Sequence, residues 1–300
     1  MNPPAPIDPK TASTPRPFLW SVRRELWENR SIYLAPILVA AVWLLGFLIS
    51  TIHWPARLHA AASLDRAAQW RVLGKPFAMV GIPLVLVAIV VGVVYCLDAL
   101  SGERRDRSIL FWKSLPVSDV STVLAKASIP LLVLPALTAI LVLVTQLLML
   151  GLGTAVLVGN GLSPAPLWRD AQLFQESLML VYGLIALVLW HAPIYSVLLF
   201  VSSWARRAAV LWAILPVLAF GVLEKVAFNS GMVCSLVKYR TLGVVERAFA
   251  FTAPGGLTID PLRQLTPAQL LSTPGLWLGL VVAAVFLAAA VRFRRWRGPI

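Results

Sequence analysis

Six runs of apolar residues, at about 32–52, 77–100, 122–150, 178–201, 209–228 and 275–291, decide what this 300-residue chain can become. A helix of roughly 17–25 apolar residues crosses a hydrocarbon core of about 30 Å. Composition agrees: 59% of the residues are hydrophobic and 13% charged, where soluble domains carry about 25% charged residues. The expected fold is all-α integral membrane, with six transmembrane helices. Residues 18–300 form that unit, preceded by a disordered cytoplasmic tail over 1–17 that is rich in proline.

The segments between the runs are read from their own patterns. Phe18, Leu19, Val22 and Leu26 recur at helical spacing, with Arg23, Arg24, Glu25 and Glu28 between them. They form either an amphipathic interface helix on the inner surface, with Trp20 and Trp27 at headgroup depth, or a plain extension of the first span. An outer loop is expected over 151–177. The outer segment 225–274 should hold a surface or re-entrant helix near 236–251. Pro130 and Pro135 are expected to kink the third span, Ser118 or Asp119 to cap it, and Lys126 to snorkel to the inner surface. Glu224 and Lys225 are read as solvated at the outer interface.

The net charge of +13 reflects basic residues gathered at the ends of the runs and does not imply nucleic-acid binding. The tail, the connection after the second run, the Arg206–Arg207 turn and the C-terminal end carry 16 of the 26 Lys and Arg residues, and the opposite segments carry 10. That bias puts both termini and the connection after the second span in the cytoplasm, in a multi-pass protein of the inner membrane. Cys96 and Cys234 match no metal or disulfide spacing and read as structural filler.

The connection from 103 to 119 is the most distinctive stretch. Five charged residues, Glu103, Arg104, Arg105, Asp106 and Arg107, run directly into Ser108 and the apolar block Ile109-Leu110-Phe111-Trp112, followed by Lys113, Leu115 and Pro116. A buried segment could not take five charges in a row, and a solvated loop has no need of the apolar block. The combination suits either a short helix on a membrane face or a surface that another protein grips, with aromatic anchors inside a charged rim.

This layout resembles the permease subunits of ABC-2 type transporters, and the string from Glu103 to Asp119 is similar to a segment of one bacterial branch of them. The resemblance implies a cytoplasmic coupling helix between spans 2 and 3 that docks on a separate ABC ATPase subunit, with the N-terminal helix beside it and short re-entrant helices between spans 5 and 6. The ATPase-subunit contact then falls to Glu103, Arg104, Arg105, Asp106, Phe111, Trp112, Lys113, Leu115 and Pro116. It also implies a second permease copy or a paralogue, an export function, and ATP with magnesium held by the partner.

The chain itself is not expected to be an enzyme. It has no Gly-x-x-x-x-Gly-Lys-Ser/Thr loop, no His-Glu-x-x-His and no Gly-x-Ser-x-Gly. No cofactor or metal site is expected in this chain. Only Gln146 and His191 offer polar points along a translocation path, although a structural role for His191, beside Pro193, is the plainer reading. A secondary transporter working without ATP, and a membrane scaffold recruiting a cytoplasmic partner, are the alternative functions. Reporter fusions after Gly102 and Arg207 should read cytoplasmic, and fusions near Asn160 and Pro261 periplasmic; reversal at two of these sites would contradict the six-span topology.

Overall fold

The computed structural model describes residues 17–54, 70, 73–106, 118–205, 207–250 and 261–296. These residues are overwhelmingly helical. They contain no β-strand, only an isolated antiparallel bridge between Phe249 and Leu265. Six helical segments are long and apolar enough to cross a membrane, at Ser31–Thr51, Lys75–Arg105, Asp119–Gly159, Ala165–Trp204, Ala209–Phe228 and Pro274–Trp296.

Helix α1 spans Pro17–Glu28 and α2 Ser31–Thr51; α3 (Lys75–Met79), α4 (Gly81–Asp98) and α5 (Ser101–Arg105) make the second segment. The third is α6 (Asp119–Ser128) and α7 (Leu134–Gly159), joined by a π turn at Ile129–Val133. Proline 130 lies in that turn. It supplies no N–H to an α-helical ladder, so the expected irregularity takes the form of a widened turn. Ser118 caps α6 as its sequence position predicts, accepting the Ser121 N–H at 3.1 Å.

The third helix runs further than its glycines foretell, and the loop expected over 151–177 is largely helical. Glycine inside a helix costs about 1 kcal/mol relative to alanine, but Gly153 lets two neighbours in. A β-carbon there would stand 2.9 Å from both Leu167 and Trp54 side-chain atoms. The helix stops at a Schellman turn, with Leu162 N–H on Leu157 C=O at 2.9 Å and Gly161 N–H on Val158 C=O at 3.0 Å. Gly161 has the positive φ of 71° that this turn requires. Helix α8 (Ala165–Ala171) follows, and α9 (Leu173–Trp204) begins at once.

Helix α9 is the centre of the bundle. Its 32 residues reach about 48 Å, and it packs against α4, α7, the fifth-segment helix α10 (Ala209–Phe228), α11 (Met232–Ala248) and the last helix α13 (Pro274–Trp296). The short α12 (Pro267–Ser272) lies against α11. One apolar core joins Phe47, Trp54, Phe77, Leu84, Met149 and Leu167, and another joins Ile32, Tyr95, Cys96, Ile129, Tyr195 and Leu199. Helix α10 stands apart: of its twenty residues only Ala209 is buried, and the rest of its apolar surface faces outward.

The segment after α10 holds a helix, as expected, but it runs from Met232 to Ala248 rather than near 236–251. Glu224 has a definite job in positioning it. Its carboxylate accepts the Ser230 hydroxyl, the Met232 N–H and, at 2.7 Å, the Val233 N–H. The two amides are donors that the first turn of α11 cannot satisfy internally. Asn229, in the left-handed conformation at φ 47°, makes the bend between the two helices. Glu224→Ala should therefore speed amide hydrogen exchange at residues 232–235 while leaving α13 unchanged. Equal exchange in the variant would show that the cap does not hold the hairpin.

Candidate functional site

Charged side chains gather at one end of the bundle, where α1, α5, α6 and α13 meet. On α1, Val22 and Leu26 pack against the core around Tyr95 and Leu199, and Glu25 points the same way. It is 1% exposed. One Glu25 oxygen accepts the Arg24 guanidinium and the Lys126 ammonium, each at 2.8 Å; the other accepts the Tyr95 hydroxyl at 2.8 Å. The outward face of α1 carries Trp20 and Trp27, with the Arg23 guanidinium 5.4 and 4.6 Å from their ring centres.

Glu103 completes the cluster from α5. It accepts Arg24 at 2.8 Å and Lys126 at 3.1 Å on one oxygen, and Arg294 of α13 at 2.5 Å on the other. Arg294 also reaches Asp119, in the first turn of α6, at 3.1 Å. Lys126 is 2% exposed, so the expectation that it snorkels to the surface is corrected: its ammonium turns inward because two carboxylates await it there. Burial works against the charged Arg24 guanidinium, but the carboxylates of Glu25 and Glu103 outweigh it and raise its affinity for the proton.

Arg104 is engaged elsewhere. It is buried and donates to the main-chain carbonyls of Ser202, at 2.8 Å, and Ala205. Those carbonyls end α9, where a positive charge complements the helix dipole. In return the Ser202 hydroxyl accepts the N–H groups of Leu100 and Ser101 at 3.0 and 2.9 Å. The stem of the 103–119 connection is thus fastened to the end of α9 on one side and to α1, α6 and α13 on the other.

The residues singled out from sequence separate into four groups. Glu103 and Arg104 lie inside these intramolecular contacts. Arg105 and Asp106 are exposed, and Arg105 makes only loose pairs with Asp98 and Asp106 at 3.5 Å. Phe111, Trp112, Lys113, Leu115 and Pro116 fall outside the described residues. Gln146 and His191 are both buried but separately engaged. The Gln146 amide donates to the Phe77 carbonyl at 3.1 Å, and His191 Nδ1 lies 3.1 Å from the Leu187 carbonyl, one turn earlier. Leu187 is also the helical i−4 partner of the His191 N–H, so the ring shares that carbonyl with its own helix, as a structural histidine does; the carbonyl freed by Pro193 is that of Leu189.

Sequence reasoning missed Glu25, Lys126 and Arg294. The signal for Glu25 was its place on the apolar stripe of α1, between Val22 and Leu26. Among the described residues no group of three or more His, Cys, Asp or Glu side chains is arranged to hold a metal ion. No protein-family model, curated protein or solved structure matches the chain.

Removing one partner from a buried ion pair costs about 3–5 kcal/mol, because the other charge is left unpaired, whereas exposed pairs are worth about 0–1 kcal/mol. Lys126→Ala, which leaves Glu25 and Glu103 facing each other, should destabilise the detergent-solubilised protein by about 3 kcal/mol or more. Arg105→Ala should cost under about 1 kcal/mol. Thermal or denaturant unfolding of the two variants checks the contrast.

Proposed function

We propose that the chain is the membrane-spanning permease subunit of an ABC-2 type exporter, coupling ATP hydrolysis on a separate cytoplasmic ATPase subunit to movement of substrate across the inner membrane. The observation that carries this reading is the anchorage of Glu103. A connection that receives force from a motor needs its stem tied to the parts that must move. Glu103 ties this stem to α1, α6 and α13, while Arg104 and Ser202 tie it to α9.

In this reading Glu103 and Arg104 hold the connection in place. Phe111, Trp112 and Leu115 anchor the ATPase subunit, with Arg105, Asp106 and Lys113 setting register at the rim and Pro116 governing how the connection joins the third span. The basic end of the bundle is cytoplasmic, with α1 along the inner membrane surface and both chain ends on that side. The ATPase binds ATP and magnesium; this chain binds neither. A second permease copy or a paralogue provides the other half of the transporter, and the outward-facing apolar surface of α10 is available to it or to lipid.

Aromatic anchors at an interface can cost about 2 kcal/mol or more on truncation, and rim charges less. Trp112→Ala should therefore reduce co-purification of the ATPase far more than Arg105→Ala, at matched membrane levels. Retention of the ATPase by Trp112→Ala at the parental level would refute the anchor and direct the search to residues 202–208.

A further inference from the structure

A second cluster of charge lies far from the basic end, where α11 meets the middle of α9 and the start of α13. Trp190 is fully buried on α9, and its indole N–H donates to the Tyr239 carbonyl at 3.3 Å. The Trp190 and Tyr239 rings meet edge to face at 5.2 Å. The Arg240 guanidinium stands 5.2 Å from the centre of the Trp190 ring, and that of Arg247 5.8 Å from Tyr239. Two cations therefore flank a pair of aromatic rings.

The setting of Arg240 is built for it. Its Nη2 donates to the Gly275 carbonyl at 3.0 Å. At Gly279, one turn further into α13, a β-carbon would stand 1.8 Å from that same nitrogen, so the guanidinium lies directly against the glycine and a larger residue would have to displace it. Its Nη1 is buried and has no hydrogen-bond acceptor. Among the described residues neither Arg240 nor Arg247 is ion-paired with a carboxylate, in contrast to Arg24, Lys126 and Arg294 at the basic end. Burial accordingly pushes Arg240 below its usual pKa.

Depth sharpens the point. Trp190 lies near the middle of α9, and Gly279 lies inside the sixth apolar segment. Arg240 thus lies beside the first two turns of the sixth apolar segment, at the edge of that span. A cation at that depth is costly unless an anion accompanies it. The flat guanidinium fork matches a phosphate or carboxylate with two parallel hydrogen bonds. Leu236, one turn before Arg240 on α11, is exposed and apolar, and Val237 beside it is exposed as well.

We propose that Arg240, seated between Trp190 and Gly279, binds the acidic headgroup of a membrane amphiphile whose acyl chains lie against the exposed apolar residues of α11. The site needs no ATPase and stands independently of the transport reading. Its specificity is for an anion carried on an apolar tail, because a free anion gains nothing from Leu236 and Val237 and must first leave water.

The test is native mass spectrometry of the full chain in detergent, titrated with phosphatidylglycerol, with phosphatidylcholine of the same chains, and with glycerol phosphate as competitor. The parent protein should bind phosphatidylglycerol at least tenfold more tightly than phosphatidylcholine, and millimolar glycerol phosphate should not displace it. Arg240→Gln should abolish that preference, while Lys238→Gln, on the same helix, should change it less than twofold. Hydrogen exchange on the parent protein supplies a readout free of folding effects: amides 236–244 should slow with phosphatidylglycerol and not with phosphatidylcholine. A preference that survives Arg240→Gln, or exchange that both lipids slow equally, overturns the proposal. Displacement by glycerol phosphate overturns its amphiphile part and leaves a site for soluble anions.

Discussion

Glu103 and Glu25 are two carboxylates buried within reach of one ammonium, and the basic end of the bundle is shaped by the need to keep them paired. Either carboxylate alone in an apolar interior would carry a desolvation penalty of several kcal/mol. Lys126, Arg24 and Arg294 offset it only if α1, α6 and α13 all sit where they do. The ion cluster is therefore less a source of stability than a condition on geometry: slide one helix by a turn and a charge is stranded.

That condition reaches into the membrane. Tyr95 gives its hydroxyl to Glu25 from the end of the second segment, and its ring belongs to the apolar core shared with Ile129 and Leu199. The π turn at Ile129–Val133 lies directly above Lys126 in the chain, where a widened turn is a soft point in an otherwise regular helix. Helix α9 receives the arrangement through Arg104 and Ser202, and passes along the whole bundle to Trp190 and α11. Packing is thus continuous from Glu103 and Arg104 to α11.

The two charged regions obey opposite rules. At the basic end, Arg24, Lys126 and Arg294 meet the carboxylates of Glu25 and Glu103 in a largely buried cluster. Around α11, Arg240 and Arg247 lean on aromatic faces instead of carboxylates. A quadrupolar ring attracts a cation but does not neutralise it. The first arrangement serves a fixed assembly; the second leaves charge to be met from outside the chain.

Much of the fold was legible in the order of residues, since a run of about twenty apolar residues is helical wherever water is absent. The six segments, the Ser118 cap, the helix between the fifth and sixth segments and the irregularity at Pro130 follow from local chemistry alone. The continuation of α7 through Gly151 and Gly153 did not, because glycine's local preference opposes it and only contact with Trp54 and Leu167 reverses the balance. Nor did the ion cluster. Glu25, Glu103, Lys126 and Arg294 each look like an ordinary charge at a membrane edge in their own neighbourhoods. Electrostatic attraction acts through space between residues up to 191 positions apart, so which of them meet, and which turn inward, was decided by the packing of the helices that carry them.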